Sequence, residues 1–505
     1  MRRLALAPAS PPPSRLDLVR TELRGMDLPA ALARFELTAF DRALKTTASL
    51  CPDCVAHVPA IVYTRGGRVL ARKRCDAHGL SDAVLENDER YYFLSNKDAC
   101  GRRFADDRVW DIPAFEAPGV GACCGEGETC GPPTGTDQST NKTCTVLVEV
   151  TDACNLACPV CYSDAKGERK MPLATFQTYL ARLVEQKGGL DSVQLTGGEA
   201  MLHPEVWEMI AWLHAEPRVK KIYLPTNGIL LARPEVADRI ARFAPKLMVL
   251  LQFDGRDATD RALRDATPGR VRERVVALLA ERGVPMQLTM TVVGGVNDDE
   301  VGWVVDTAVR HHHVKVVAIQ PATYSGRHDV ARDPMKRATL SDVVKAVLAQ
   351  ARVRATERDF VPIPCSHPNC GWITLFFRRF GLVHNLVRHV DVKRATREAA
   401  YKTLLSTDEL RGVVGQGKGP GAGPAKRALA WAGKKLVRST DVFTIAVKPF
   451  MDVYTYDQDR VANCCHHLMT TRGEATSFCE YNAMLRTGDG WDHFPRLAPA
   501  SGQGA

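Results

Sequence analysis

Three cysteines near the middle of the chain have the spacing of a loop that binds a metal cluster. Cys154, Cys158 and Cys161 are separated by three and by two residues, so one short loop carries all three thiols. A 4Fe–4S cluster normally takes four thiolates, one for each iron. Three cysteines on one loop can therefore bind three irons and leave the fourth open. A zinc knuckle, or three buried free thiols, is the alternative interpretation.

The sequence on the C-terminal side of this loop alternates between strand-like and helix-like segments. Six short segments are rich in β-branched residues, and they lie at 146–150, 192–195, 221–225, 247–253, 286–293 and 315–320. Helical patterns separate them at 173–186, 204–214, 270–282 and 299–311. This alternation predicts an α/β fold with a parallel sheet, and six units fit a partial (β/α)6 TIM barrel. In such folds the chemistry takes place at the C-terminal ends of the strands.

Short polar or glycine-containing motifs end five of these predicted strands. They are TGGE at 196–199, TNG at 226–228, QFDG at 252–255, VVGGVND at 292–298 and QP at 320–321. Each alone is a weak signal, because Asn-Gly and Asp-Gly are common turn sequences. Their occurrence in this order behind the cysteine loop is a much more specific pattern.

Taken together, the cysteine loop and the strand-end motifs resemble the radical S-adenosylmethionine (SAM) superfamily. The resemblance implies that Cys154, Cys158 and Cys161 hold a catalytic 4Fe–4S cluster, whose open iron binds SAM. The residues it assigns to SAM are Gly197, Gly198, Glu199, Asn227, Gln252 and Asp254. Reductive cleavage of SAM would give a 5′-deoxyadenosyl radical that removes hydrogen from an unactivated carbon. The superfamily usually has an aromatic residue where this chain has Val160, so we expect the contact near the adenine either to be weaker or to come from Tyr162.

A second group of possible ligands lies near the N-terminus. Cys51 and Cys54 are followed by Cys75 and His78, a C-x2-C…C-x2-H pattern separated by a strand-rich segment at 60–73. Two such knuckles predict a tetrahedral site for structural zinc or for a rubredoxin-like mononuclear iron. Two unrelated turns would be the simpler interpretation.

The remaining cysteines predict one or two auxiliary 4Fe–4S clusters. Cys100, Cys123, Cys124, Cys130 and Cys144 precede the radical loop, and we assign Cys124, Cys130 and Cys144 as ligands. The C-terminal candidates, expected near the mouth of the barrel, are Cys365, Cys370, Cys464 and Cys479. Spacing alone does not choose which cysteines share a cluster.

One branch of the superfamily shares more of these features. The N-terminal knuckles, the PIPC element ending at Cys365, and the ending at Cys464 and Phe478-Cys479 resemble the archaeal tetraether lipid synthase family and its bacterial relatives. An older name for that branch is pterin dimethyltransferase. The resemblance covers about 49–486 and implies carbon–carbon bond formation on lipid chains. The region between Cys130 and Cys144 departs from it, because it lacks a Cys/His-rich run.

Two segments could belong to a lipid-binding surface. Residues 372–387 are aromatic and apolar with interspersed arginines, and 426–439 form a basic amphipathic stretch. A core helix and an exposed basic helix are the alternatives. Three other functions stay open: peptide modification by a radical SAM enzyme with auxiliary clusters, methylation of a pterin, and a non-enzymatic iron–sulfur scaffold.

Bulk composition narrows the class of protein. The chain has 505 residues, a 45% hydrophobic fraction, a net charge of +9 and sixteen cysteines. Without a targeting signal, cysteines at these spacings predict metal binding in a reducing compartment. We expect a cytoplasmic enzyme, with peripheral contact at the inner membrane face, a flavodoxin or ferredoxin as electron donor, and no nucleic-acid partner. The predicted regions are 1–145, 146–350 and 351–505, with a Gly/Pro-rich linker near 415–425.

Overall fold

The computed structural model describes residues 13–38, 40–94, 143–264, 269–363, 365–389 and 438–496. Cys100, Cys123, Cys124, Cys130, the linker at 415–425 and the basic residues 426–437 lie outside these ranges, so their predicted roles stay predictions. Within the described ranges, no helix has the length and apolar character that crossing a membrane requires.

The N-terminal region is a four-stranded antiparallel sheet in the order β1-β2-β3-β4. Its strands are β1 (Arg42–Leu50), β2 (His57–Arg65), β3 (Arg68–Cys75) and β4 (Gly79–Glu86). Helices α1 (Arg15–Leu23) and α2 (Leu28–Arg34) precede it, and α3 (Glu89–Leu94) follows it. The β1–β2 and β3–β4 turns lie at one end of the sheet, and they carry the predicted N-terminal ligands.

Six parallel strands form the centre of the molecule, as predicted. They follow the sheet order β5-β7-β8-β9-β10-β11, and each pairs in parallel with the next. The strands are β5 (Thr145–Thr151), β7 (Leu190–Gly197), β8 (Val219–Thr226), β9 (Leu247–Gln252), β10 (Met286–Val292) and β11 (Val314–Pro321). Their ends differ from the predicted ones by two residues at most.

The helices between these strands complete the α/β alternation. They are α4 (Leu173–Lys187), α5 (Val206–Ala215), α6 (Pro234–Ala241), α7 (Asp257–Leu263), α8 (Gly269–Glu281), α9 (Val301–Arg310) and α10 (Leu340–Gln350). One large core joins the two layers, because apolar residues of the strands pack against the inner faces of the helices. All seven residues of β5 are buried, which suits a strand covered on both faces.

The C-terminal region extends the same sheet at both edges. Strand β16 (Val442–Val447) pairs in parallel with β11, and β17 (His466–Met469) pairs in parallel with β5. The further strands are β13 (Val361–Pro362), β14 (Trp372–Arg379), β15 (Leu382–Asn385) and β18 (Ala475–Ser477). Two short helices belong to this region, α11 (Gln458–Ala462) before β17 and α12 (Phe478–Glu480) after β18. The sheet therefore continues across the boundary predicted at residue 350.

The aromatic segment at 372–387 is a strand pair, so the predicted core helix is wrong. Trp372 and Phe376 are buried in the main core, and the buried Arg378 donates to the carbonyl oxygens of His312 and Val314 at 2.8 and 2.7 Å. Because β14 runs antiparallel to β16, the β14–β15 turn lies at the end of the sheet opposite the cysteine loop. The β14–β15 turn of this segment is therefore remote from the radical site.

A buried ion pair joins the N-terminal sheet to the C-terminal region. The ammonium of Lys45 on β1 is 2.7 Å from carboxylates of both Asp457 and Asp459. Burial alone would raise the pKa of Asp457, but the charge and hydrogen bond of Lys45, together with His367 and Thr47, lower that pKa to about 2. The contact fixes the orientation of the N-terminal sheet against α11.

We expect Lys45→Met to destabilise the protein by about 3–5 kcal/mol, because it leaves a buried carboxylate without its partner. Chemical unfolding followed by circular dichroism measures this change. The double variant K45M/D457N should recover part of the loss, since it removes both buried charges. A loss below about 1 kcal/mol in K45M, the range of surface pairs, would show that the contact is not a buried ion pair in solution.

Candidate active site and metal centres

The cysteine loop begins where β5 ends and is held from one side by Arg327. Cys161 lies in the two-residue strand β6 (Val160–Cys161), which pairs with β12 (Arg327–His328). The guanidinium of Arg327 donates to the carbonyl oxygens of Cys158 and Ala165 at 3.1 and 3.3 Å, and to Asp164 at 2.9 Å. These contacts fix the backbone around the second and third thiols.

Arg264 holds the loop from the other side. Its guanidinium donates to the carbonyl oxygen of Val160 at 2.7 Å, to the Asp254 carboxylate at 2.7 Å and to the Thr291 hydroxyl at 2.8 Å. Arg264 therefore connects the ends of β9 and β10 to the loop. Neither Arg264 nor Arg327 was predicted from the sequence, because no spacing or motif distinguishes them from the other arginines.

Two glycines let other segments approach the loop closely. Gly197 has φ +128°, and a Cβ there would lie 2.1 Å from the carbonyl oxygen of Thr151. Gly326 has φ +62°, and a Cβ there would lie 2.4 Å from the carbonyl oxygen of Cys161. A side chain at either position would collide with backbone, so both positions require glycine.

The three loop thiols fit a cluster better than a single ion. All three cysteines are half-buried, and burial raises the pKa of Cys154 to about 11. Among the described residues, the ligand atoms of Cys154, Cys158 and Cys161 do not come within 4.8 Å of one another as a group. A 4Fe–4S cluster needs such separation, because each thiolate binds its own iron.

The residues predicted to contact SAM lie around the loop, and hydrogen bonds join those at the ends of β7 and β8. Glu199 is buried and accepts hydrogen bonds from the Thr226 hydroxyl at 3.0 Å and from the backbone N–H of Asn227 at 2.9 Å. Burial outweighs these bonds and raises the pKa of Glu199 to about 7. The Asn227 side chain donates to Asn155 on the loop at 2.8 Å.

At the next strand end, the Gln252 amide donates to Asp254 at 2.7 Å, and Asp254 is fully buried beside Arg264. The structural partner of Asp254 is therefore the arginine that holds the loop. Direct contacts of SAM with Gly197, Gly198, Glu199, Asn227, Gln252 and Asp254 stay predictions.

An aromatic group borders the loop on the C-terminal side. Tyr162 directly follows Cys161, and its ring lies 6.0 Å from Phe450 and 5.6 Å from Phe478. Phe450 and Phe478 are 4.7 Å apart, and His466 packs against both. Burial lowers the pKa of His466 well below its usual range, so this imidazole is neutral. We call Tyr162, Phe450, His466 and Phe478 the aromatic wall.

The N-terminal ligands come together as predicted. Among the described residues, Cys51, Cys54, Cys75 and His78 are the one group of at least three metal-binding side chains with all ligand atoms within 4.8 Å of one another. The Cys54 and Cys75 sulfurs are 3.9 Å apart, and the His78 Nδ1 is 3.5 Å from the Cys51 and Cys75 sulfurs. Tetrahedral zinc, with Zn–S of about 2.3 Å and Zn–N of about 2.0 Å, requires edges of roughly 3.5–3.8 Å. His78 therefore fits as the fourth ligand.

Among the described residues, the other cysteines form two groups, and each group joins distant parts of the sequence. Cys144 clusters with Cys365 and Cys465, all three buried, and the Cys144 backbone N–H donates to the Cys465 carbonyl at 3.0 Å. The sequence left open which cysteines share a cluster, and Cys465 was not among the candidate ligands. Cys465 directly precedes β17, and only the fold brings it to Cys144.

The second group contains Cys370, Cys464 and Cys479. Burial raises the pKa of Cys479, and interactions with Cys464 and Cys370 contribute to that rise. The buried Arg460 donates from Nε to the Cys370 sulfur at 3.5 Å. Since Phe478 directly precedes Cys479 in the sequence, this group adjoins the aromatic wall.

Two family matches cover the N-terminal metal site and the region of the cysteine loop. Residues 43–87 match the HMPTM N-terminal zinc ribbon domain, and residues 148–308 match the radical SAM superfamily. Residues 148–308 form a radical SAM domain. The protein is therefore a SAM-dependent radical enzyme that uses a 4Fe–4S cluster, and the zinc ribbon adds a further metal site. When bound, the cluster and SAM supply a 5′-deoxyadenosyl radical.

Two curated relatives extend the comparison beyond the radical SAM domain. The 7,8-dihydro-6-hydroxymethylpterin dimethyltransferase of Methanocaldococcus jannaschii is 25% identical over 500 residues, which covers 88% of this chain and 94% of that protein. The GTP 3′,8-cyclase of Chlorobaculum tepidum is 28% identical over 177 residues, 35% of this chain and 53% of that protein. The first relative therefore matches the flanking regions as well as the domain.

Parts of the chain also resemble solved structures. SuiB of Streptococcus suis bound to S-adenosylmethionine superposes with a TM-score of 0.35 at 14% identity, covering 41% of this chain and 46% of that one. A radical SAM methyltransferase of Sphaerobacter thermophilus gives a TM-score of 0.32 at 13% identity, covering 65% and 81%.

Proposed function

We propose that this radical SAM enzyme removes hydrogen from unactivated carbons of lipid chains and joins them by carbon–carbon bonds. The observation that carries the proposal is the aromatic wall beside the cysteine loop. Tyr162, Phe450 and Phe478 offer ring faces and a neutral imidazole neighbour, and no charged group belongs to the wall. An alkyl chain gains free energy by covering such apolar surface.

A polar heterocycle would meet few hydrogen-bonding groups at this wall, namely the buried Tyr162 hydroxyl and the His466 imidazole. A pterin ring carries several hydrogen-bond donors and acceptors, and each one buried without a partner costs free energy. Methylation of a pterin is nevertheless the second candidate. Similarity to the 7,8-dihydro-6-hydroxymethylpterin dimethyltransferase over 88% of the chain supports it.

Several residue assignments belong to the proposal. Cys154, Cys158 and Cys161 hold the radical cluster, and Glu199 and Asn227 contact SAM. The groups Cys144/Cys365/Cys465 and Cys370/Cys464/Cys479 each bind an auxiliary cluster. A flavodoxin or ferredoxin supplies the electron, and the enzyme works at the inner membrane face, where its substrate resides.

Product analysis separates the two candidates. The anaerobically reconstituted full-length enzyme is incubated with SAM and dithionite, and with either phospholipid vesicles or 7,8-dihydro-6-hydroxymethylpterin. We expect 5′-deoxyadenosine that depends on phospholipid, with a coupled lipid in mass spectra. Since each joined carbon loses one hydrogen, one 5′-deoxyadenosine should be released per carbon joined.

The C158A variant is the control for chemistry that does not need the cluster. If 5′-deoxyadenosine depended on the pterin and a methylated pterin formed, the lipid proposal would be replaced by the second candidate. If neither compound stimulated the reaction, both would be rejected.

A further inference from the structure

A buried ion pair lies directly against the radical loop. Asp254 is fully buried and Arg264 is 7% exposed. Two contacts join them, Nε to Oδ2 at 2.7 Å and Nη2 to Oδ1 at 3.2 Å. The backbone N–H of Thr291 donates to Asp254 at 2.7 Å, and Arg264 donates to the Thr291 hydroxyl at 2.8 Å. The pair is therefore fixed in orientation at the ends of β9 and β10.

The Arg264–Asp254 pair presents its positive end to the loop. Arg264 faces the loop, because its Nη1 donates to the carbonyl oxygen of Val160 at 2.7 Å. Its charge interacts with the sulfurs of both Cys158 and Cys161. At Cys158 the guanidinium acts more strongly than the Asp254 carboxylate does. The positive end of the pair thus contacts the loop directly.

A second arginine–aspartate pair also contacts the loop, but its aspartate is more exposed to water. Arg327 donates to Asp164 at 2.9 Å and to the Cys158 carbonyl at 3.1 Å, so it also contacts the loop. The side chain of Asp164 is 44% exposed, whereas that of Asp254 is fully buried. Water screens the charge of Asp164 and not that of Asp254. The chain therefore provides its own matched control.

We propose that the Arg264–Asp254 pair sets the reduction potential of the cluster bound by Cys154, Cys158 and Cys161. Reduction adds one electron to the cluster, and a positive charge held nearby stabilises the more negative, reduced form. The effect is large where the surroundings exclude water, because the effective dielectric constant is low. Net charge, hydrogen bonding and solvent exposure are the means by which a protein adjusts such potentials. Arg264 and Asp254 are positioning residues in this role.

Three variants test the proposal by the sign of the change. Asp254→Asn leaves the Arg264 charge unbalanced and should raise the midpoint potential. Arg264→Met leaves the Asp254 charge unbalanced and should lower it. The double variant D254N/R264M removes both charges and should return the potential towards that of the wild type. Asparagine at 254 still accepts the hydrogen bond from Thr291, so the strand-end contact survives in D254N.

The measurement is an anaerobic redox titration of the full-length, reconstituted enzyme without lipid or pterin. Electron paramagnetic resonance follows the signal that changes when SAM is added, which separates the radical cluster from the auxiliary ones. Iron content is determined for each variant. Because no substrate is present, the result does not depend on the proposed function.

Asp164→Asn is the matched control and should shift the midpoint much less than D254N. Shifts of the same sign in D254N and R264M would indicate general loosening of the loop and overturn the proposal, and so would unchanged midpoints. If R264M does not retain iron, D254N and the double variant decide. A midpoint that rises in D254N and does not fall back in the double variant rejects the role of Arg264.

Discussion

Replacing Cys158 by alanine is expected to abolish SAM-dependent formation of 5′-deoxyadenosine. Cys158 is the middle thiol of the loop, and both its backbone carbonyl and its sulfur interact with the arginines that hold the loop. With three protein thiolates on the loop, no spare ligand among them can replace the lost one. We therefore expect loss of the radical cluster and no 5′-deoxyadenosine above the rate without enzyme. Iron and sulfide analysis, together with product chromatography, measures both effects.

The matched variant is Cys465→Ala, which removes a buried thiol from the group of Cys144 and Cys365. It should lose auxiliary iron and keep the SAM-induced change in the radical cluster signal. A C158A enzyme that still cleaved SAM would contradict the assignment of the loop. Loss of SAM cleavage in C465A with an intact radical cluster would show that the auxiliary group participates in that step.

The six central strands could be predicted because each is a short run of buried β-branched residues. Strands covered on both faces show a continuous apolar pattern, and β5 is buried along its whole length. The same apolar pattern did not identify the strands at 372–387. There Trp372, Thr374, Phe376 and Arg378 alternate with less buried residues, which is the period of a strand. The buried Thr374 and Arg378 obscured that alternation, since polar residues are rarely fully buried.

Metal ligands that lie close together in the sequence could likewise be predicted, whereas ligands that only the fold brings together could not. Cys51 with Cys54, and Cys75 with His78, each come from one turn, so spacing alone predicted them. Cys144 and Cys465 meet because β17 pairs with β5, and Cys365 joins them although it lies more than 200 positions from Cys144 in the sequence. No local pattern contains that pairing.

The arginines at the radical loop were missed for a related reason. Arg327 contacts Cys158 across the pairing of β12 with β6, and Arg264 reaches Val160 from the end of α7. Neither residue has a characteristic spacing from the cysteines. The spacing of the cysteines predicted the ligands of the cluster, whereas the charged residues around the cluster could be identified only from the tertiary structure.

Replacing Cys75 by serine is expected to release the metal of the N-terminal site and to destabilise the sheet of β1–β4. The four ligands close the two turns at one end of this sheet, and Cys51 and Cys75 are buried. In small zinc-binding domains, metal binding supplies about 10–16 kcal/mol of apparent free energy and is coupled to folding. A four-stranded sheet with its own small core keeps part of its structure without metal, so we expect a loss of several kcal/mol. Limited proteolysis should then cleave within 43–87.

The conservative variant His78→Cys distinguishes metal loss from a packing defect. An all-thiolate site binds zinc or iron with the same tetrahedral geometry, so H78C should retain about one equivalent of metal and resist proteolysis. Metal analysis and chemical unfolding of the wild type, C75S and H78C make the comparison. If C75S kept its metal and its free energy of unfolding, Cys75 would not be a ligand. If C75S lost the metal and remained as stable as the wild type, the site would bind metal without supporting the fold. Since Lys45 joins this sheet to Asp457, loss of the metal should also weaken the contact with the C-terminal region.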